Sequence, residues 1–458
     1  MADEGEWHEA DNFGDKLEDL LTLAPPILRV PAIGIYNLLH SPLRLISSRH
    51  KAAFAHKHAT SLSSSSTEHL HDDNVHARYV QSKFTKEKGL AEENIQGEEM
   101  MLGSVLAMLS YLDEDEAITE KDVEWYEYLA KKFGQHPSGD KGWTLRTLIE
   151  TLGLQFDTFL DSQPQYGACF KCMINPHCPY DTQGYVAHNT NNVVISFRGS
   201  EMNVSDWLTN FGIAETSFDP EDDLIYGTDG ACCGQISCHR TCEGNHPRGL
   251  VHEGWYAAFL PVIEEIEEVL TPLINSGQSK RIIVCGHSLG GALATACLGW
   301  IVQRYELSGE ICKHKLLQIT VGQPRFGTEG FNEWLREATA DMEAQGRFKH
   351  ARLVRSLDLV PALPPKMLGF NHLHPKILLT GNHELLLRPD DEVIMHAALE
   401  HTDVVHHGVH HSAEMATDHL LTLFLDSLEI ACDRALKAKP GVTWDAMLKN
   451  LKMSASVT

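Results

Sequence analysis

Apolar residues along the chain fall into two periods, and the switch between them sets out the elements. From Glu98 onward, helical spacing covers residues 100–112, 123–133 and 144–160. Thr119-Glu120-Lys121-Asp122 resembles a capping box ahead of the second of these. Residues 255–273, 291–298, 420–428 and 431–449 also have helical spacing, the last followed by a frayed tail. Residues 183–188 and 193–198 read as two strands of a hairpin turning at Asn189-Thr190-Asn191-Asn192. Short apolar runs at 282–285, 316–321 and 352–356 are further strands, and 377–379 and 384–387 are two short ones.

At one junction a strand run meets a helix run with almost nothing between them. Ile282-Ile283-Val284-Cys285 is followed by Gly286-His287-Ser288-Leu289-Gly290, and the helical run starts at Gly291. Glycines two residues either side of Ser288 let the chain turn sharply, and the turn lifts the hydroxyl above the sheet at a helix N-terminus. Strand, tight turn and helix with serine at the apex make Ser288 a candidate nucleophile rather than a plain turn residue.

A serine hydroxyl is a weak nucleophile unless a base takes its proton and a carboxylate orients that base. In this arrangement the acid and the histidine follow the serine in sequence. Asp358 ends the run Ala351-Arg352-Leu353-Val354-Arg355-Ser356-Leu357, and Pro361, Pro364 and Pro365 stop anything regular after it. That puts a carboxylate at the sheet edge that carries the nucleophile turn. The base is harder to find, because the chain has 27 histidines. His372 and His374 come too soon after the acid. His406-His407-Gly408-Val409-His410-His411 reads as a solvated loop, with a metal site as the alternative. His419 stands where a loop enters an apolar helix and is the expected base, with His411 as runner-up.

The anion that forms during ester hydrolysis needs preorganised N–H donors. One is the backbone N–H of Leu289. The strand Val193-Val194-Ile195-Ser196-Phe197 ends in Arg198-Gly199-Ser200, where Ser200 offers an N–H and a hydroxyl. Arg198 is read as a charge that braces this turn.

Assembled in order, these segments resemble the class 3, fungal-type triacylglycerol lipases. The matching motifs are Phe197-Arg198-Gly199-Ser200 and Val251-His252-Glu253-Gly254-Trp255. Next come Gly286-His287-Ser288-Leu289-Gly290-Gly291-Ala292-Leu293-Ala294 and Gly322-Gln323-Pro324-Arg325-Phe326-Gly327. Last are Asp358-Leu359-Val360-Pro361, Gly369-Phe370-Asn371-His372 and Asp418-His419. The resemblance covers roughly residues 95–430. It implies an α/β-hydrolase fold, a mostly parallel central sheet flanked by helices, with a lid and a cysteine-containing insertion. It carries Ser288, Asp358 and His419 over as a triad and Ser200 and Leu289 as oxyanion donors, with no cofactor and no metal. It places the lid over residues 201–211, where Asp206-Trp207-Leu208 matches an acidic-aromatic pattern; the alternative for Trp207 is a core tryptophan.

Eleven cysteines divide into two groups. Cys285, Cys297, Cys312 and Cys432 lie in apolar runs and read as small core residues. Cys169, Cys172 and Cys178, with Cys232, Cys233, Cys238 and Cys242, form two clusters around the oxyanion strand and lid. The resemblance favours disulfides there, C-x2-C spacing fits structural zinc, and free thiols remain a third reading.

The 458 residues divide into three stretches: 1–95, 96–430 for the hydrolase domain, and 431–458 for a C-terminal helix and tail. The first is an acidic start, an apolar and basic arm and a Ser/His-rich linker, and is expected to be partly disordered. Met1 to Asp19 holds eight acids and one lysine, with no apolar signal core. A cytoplasmic or peripheral-membrane location is expected, with secretion left open. Residues 20–67 contain no Asp or Glu and carry five Lys or Arg. Prolines break this stretch too often for a membrane span. It suits an arm on an anionic membrane or lipid-droplet surface, a disordered arm, or a strap on the domain. A net charge of −25 argues against a nucleic-acid partner. The expected partner is a lipid ester, and the expected activity a serine ester hydrolase acting on acylglycerols. Phospholipase A1 or galactolipase activity, or lipid binding by an inactive hydrolase fold, are the alternatives.

Overall fold

Residues 95–114, 117–118, 123–134, 142–162, 182–199, 215–220, 248–306, 309–355, 358, 360–381, 383–388 and 419–453 are described by a computed structural model. The arm and linker before Ile95, the capping box at 119–122, both cysteine clusters and the HHGVHH run lie outside them.

Alternation along the strands builds the sheet. In β3 (Asn192–Phe197) and β6 (Arg281–His287), Val193, Ile195, Phe197, Ile282 and Val284 join one core. Val194, Ile283 and Cys285 join the other, on the opposite face. A strand covered on both faces must be apolar on both, which is why the run before Gly286 is unbroken by polar residues. Each fully buried Val, Ile or Leu contributes roughly 1.5–3 kcal/mol.

The main sheet has eight strands in the order β1-β2-β3-β6-β7-β9-β11-β12. Besides β3 and β6 these are β1 (Gln155–Ser162), β2 (Thr182–His188), β7 (Lys315–Val321), β9 (Phe348–Arg355), β11 (Lys376–Leu379) and β12 (Leu385–Arg388). The five strands from β3 to β11 run parallel, and β1, β2 and β12 are antiparallel edges. A small antiparallel sheet comprises β4 (Glu215–Ser217), β5 (Leu250–His252), β8 (Gly327–Thr328) and β10 (Phe370–Asn371). On one face of the main sheet lie α4 (Glu253–Phe259), α5 (Ile263–Asn275), α6 (Leu289–Ile301) and α7 (Glu329–Ala344). On the other lie α1 (Gly97–Leu109), α2 (Val123–Phe133), α3 (Leu145–Thr151), α8 (Leu421–Ala435) and α9 (Val442–Met453). A mostly parallel sheet with helices on both faces is the α/β-hydrolase architecture expected from the motifs. No helix among the described residues is long and apolar enough to cross a membrane.

Four elements depart from the expected pattern. Residues 144–160 do not form one helix: α3 stops at Thr151, Gly153 takes φ 79°, and the chain becomes edge strand β1, paired with β2 from Gln155↔His188 to Ser162↔Thr182. Residues 255–273 are two helices, because Pro261 has no N–H to donate and sits in a 3₁₀ turn, Leu260–Val262, between them. The C-terminal run is α8 and α9, separated where Lys437 and Gly441 turn to φ 53° and 87° around Pro440. Trp444, Met447 and Leu451 of α9 enter the same core as α1 and α8. Helix α7 is an addition, although its buried Phe331, Leu335, Thr339 and Met342 recur at helical spacing.

Candidate active site

The turn between β6 and α6 is built from close backbone contacts. A Cβ on Gly286 would stand 2.1 Å from the Gly290 carbonyl oxygen, and one on Gly290 would stand 2.2 Å from that of Phe197. Only glycine fits at either place. Ser288, between them, takes φ 59° and ψ −127°, a conformation L-residues avoid. Such a residue costs about 1–3 kcal/mol and persists only where its surroundings hold it. The hold is visible: the Ser288 N–H donates to Val321 O at 2.8 Å, and its carbonyl accepts from Gly291 N–H at 3.0 Å.

Asp358 stands beyond the end of β9 and is 2 % exposed. Its N–H donates to Arg355 O at 3.2 Å, and its Oδ1 accepts from Val360 N–H at 3.0 Å. Oδ2 is left to accept from His419 Nδ1 at 2.9 Å. The other side of that ring, Nε2, lies 2.8 Å from Ser288 Oγ. The carboxylate only accepts, so Nδ1 carries the proton and Nε2 is the acceptor for the serine hydroxyl. The three residues named from sequence thus meet in one line of hydrogen bonds, with His419 just ahead of α8.

Leu289 is the first residue of α6. The leading N–H groups of a helix have no intrahelical acceptor, and the helix dipole places partial positive charge there. The pairing Phe197↔Gly286 sets the Arg198-Gly199 turn against the same elbow. Ser200 and the lid residues Asp206, Trp207 and Leu208 lie outside the described residues, as does Asp418.

Other motif residues are structural. Arg325 clamps the loop after Asp358, its backbone N–H on Leu363 O at 2.7 Å and its Nη1 on the Ala362 and Pro364 carbonyls. Gln323 Nε2 donates to Thr295 Oγ1 on α6 at 2.9 Å. His252 caps α4 by accepting from Trp255 N–H and stacks on that indole at 3.9 Å. His372 is spent on Pro361 O, to which its Nε2 donates at 2.8 Å; burial, with Arg352 and Arg325 nearby, holds it well below the usual histidine range. Arg198 braces its turn through Gln183 and lies over the Tyr111 ring. Cys285 and Cys432 are buried free thiols, each pushed up to about 12 by burial, and Cys297 is another, raised well above the usual thiol range by the same cause.

Two residues at the site were not singled out from sequence. His287 and Tyr111 form a hydrogen-bonded pair directly behind His419. The one available sign was a ring at the position before the serine, where any residue satisfies the G-x-S-x-G spacing.

Residues 194–368 match the family model described as lipase (class 3), a span that includes Ser288 and Asp358. The secreted mono- and diacylglycerol lipase 1 of Fusarium solani is 28% identical over 192 residues, 41% of this chain and 44% of that protein. A lipase of Rhizomucor miehei is 27% identical over 205 residues, 44% of this chain and 46% of the other. The chain thus spans less than half the length of either relative. Among solved structures, the mono- and diacylglycerol lipase of Aspergillus oryzae aligns at 18% identity over 65% of this chain and 87% of that one, with a TM-score of 0.42. Over residues 194–368 this chain is thus similar to the class 3 lipases.

Proposed function

We propose that the protein is a serine carboxylic-ester hydrolase acting on acylglycerols. The observation that carries this reading is the unbroken line from Asp358 Oδ2 through both nitrogens of His419 to Ser288 Oγ. Ser288 Oγ bonds to the ester carbonyl carbon while its proton passes to His419 Nε2. The carbonyl oxygen becomes an anion, met by the Leu289 N–H and by Ser200. One such donor is worth about 2.7–4 kcal/mol in the transition state. When the tetrahedral species collapses, the bond to the alcohol oxygen breaks and His419 Nε2–H returns the proton to that oxygen. Water then gives a proton to the same nitrogen and its oxygen to the acyl carbon; the bond from that carbon to Ser288 Oγ breaks, His419 Nε2–H returns the proton to Oγ, and the fatty acid leaves. Asp358 keeps Nδ1 protonated and steadies the imidazolium.

An acylglycerol substrate is supported by the name of the Fusarium solani relative, a mono- and diacylglycerol lipase, and by the family match. The test is a fluorophosphonate probe, which reacts with an activated serine and leaves an ordinary one untouched. The probe's mass is expected on the peptide holding Ser288, absent in Ser288→Ala and lost in His419→Ala. An unlabelled wild type that is folded contradicts the proposal.

A further inference from the structure

Tyr111 follows the last turn of α1, and its hydroxyl lies 2.7 Å from His287 Nδ1. On the far side of the imidazole, His287 Nε2 lies 3.0 Å from the backbone oxygen of His419. The two histidine rings are 4.5 Å apart, centroid to centroid, inclined at 35°. Behind the phenol, the backbone of Gly199 hydrogen-bonds to Tyr111. The approach is close enough that a Cβ on Gly199 would fall 2.1 Å from the phenolic oxygen and 2.9 Å from Ser288 Cβ.

The two ends of this line have fixed chemistry. A backbone N–H can only donate and a carbonyl can only accept, so the phenolic oxygen receives a hydrogen bond from Gly199 and His287 Nε2 carries a proton. Gly199 N–H donates to the phenolic oxygen, the phenol O–H donates to His287 Nδ1, and His287 Nε2–H donates to the His419 carbonyl. A neutral imidazole here has its one proton on Nε2 and leaves Nδ1 to accept from the phenol. Burial favours that state by holding His287 well below the usual histidine range. Arg198, 5.6 Å above the Tyr111 ring, draws electron density from the phenol and strengthens its O–H as a donor. Hydrogen bonds aligned in series polarise one another in a low dielectric.

We propose that Tyr111 and His287 are positioning residues, a buried strut that ties the oxyanion turn at Gly199 to the backbone of His419. This rests on the hydrolase reading, because the strut joins the two groups that reading asks to act together: the donor turn and the base. Neither residue touches the reacting atoms. What they fix is the distance between Gly199 and His419, which belong to separate stretches of chain. A displacement of about 1 Å at a reacting geometry lowers a rate about a hundredfold.

Tyr111→Phe removes one hydrogen-bonding oxygen and keeps the ring. On p-nitrophenyl butyrate its kcat is expected to fall about tenfold to a hundredfold, with KM within about twofold. Its melting temperature should stay near that of the wild type. His287→Gln, which retains a donor and an acceptor, should recover more of kcat than His287→Phe. Nitrogen–proton NMR of ring-labelled histidine should find His287 protonated at Nε2. A wild-type kcat in Tyr111→Phe, a melting-temperature loss with kcat unchanged, or an Nδ1–H tautomer at His287 overturns the strut. No turnover by wild type, or turnover that survives Ser288→Ala, overturns the hydrolase reading instead, and the tautomer still decides the strut.

Discussion

His419 reaches Ser288 from 131 residues away, its Nε2 2.8 Å from the hydroxyl oxygen. The contact exists because β6 and β9 lie on either side of β7 in a parallel sheet, so the elbow after β6 and the loop after β9 emerge at the same edge. Asp358 then receives His419 between itself and the serine. In the proposed mechanism His419→Ala lowers kcat by several orders of magnitude. His372→Ala, removing a ring already committed to Pro361, should leave turnover of soluble esters within about tenfold and lower stability instead. Steady-state kinetics and melts on both variants check this; a dead His372→Ala with a normal melt contradicts it.

Ser288 also stores strain, which gives a prediction with the opposite sign for stability. At φ 59° and ψ −127° glycine is at ease and serine is not. Ser288→Gly should abolish turnover and raise unfolding free energy by roughly 1 kcal/mol, within the 1–3 kcal/mol range for such residues. Denaturant unfolding at constant m-value reads it. A destabilised Ser288→Gly means that the hydroxyl's contacts outweigh the strain.

Three histidines held far below their ordinary range contribute to a pH dependence of stability. Burial holds His287, His372 and His374 well below their ordinary 6.5. Below about 6.5 the unfolded chain takes up protons at these positions and the native protein does not, so stability falls as pH drops through that value and is complete above it. Melting temperatures measured from pH 7.5 to 5 should decline through this window. His374 stacks on His350 at 3.4 Å, so His374→Phe keeps the ring and removes one titrating site. Its decline should be shallower; an equal slope removes His374 from the account.

The lid expectation rests on sequence alone, since Trp207 lies outside the described residues. In the interfacial reading, Trp207→Ala loses more activity on emulsified triolein than on p-nitrophenyl butyrate. Equal losses on both substrates argue against a lid at 201–211.

The site was legible in the sequence where chemistry dictates spacing. Gly286 and Gly290 announce the elbow because two backbone approaches of about 2 Å admit no side chain there. Asp358 was legible because prolines end its strand at the right edge. His419 could be chosen among 27 histidines by its junction with an apolar helix and by family order. Less legible were features that depend on partners distant in sequence. Edge strand β1 reads as the tail of a helix until its partner β2 is known, and the small sheet is made of two- and three-residue strands with too few positions to show a period. Tyr111 carries no mark of its role, because its relation to His287 spans 176 residues and needs the fold to exist.

The most direct test of the central claim is hydrolysis of p-nitrophenyl butyrate, emulsified triolein and phosphatidylcholine by wild type beside Ser288→Ala. Turnover is expected from the wild type, highest on the acylglycerol emulsion, and none above background from Ser288→Ala with its fold intact. Equal turnover by the two proteins, or none by a folded wild type on any of the three substrates, contradicts it.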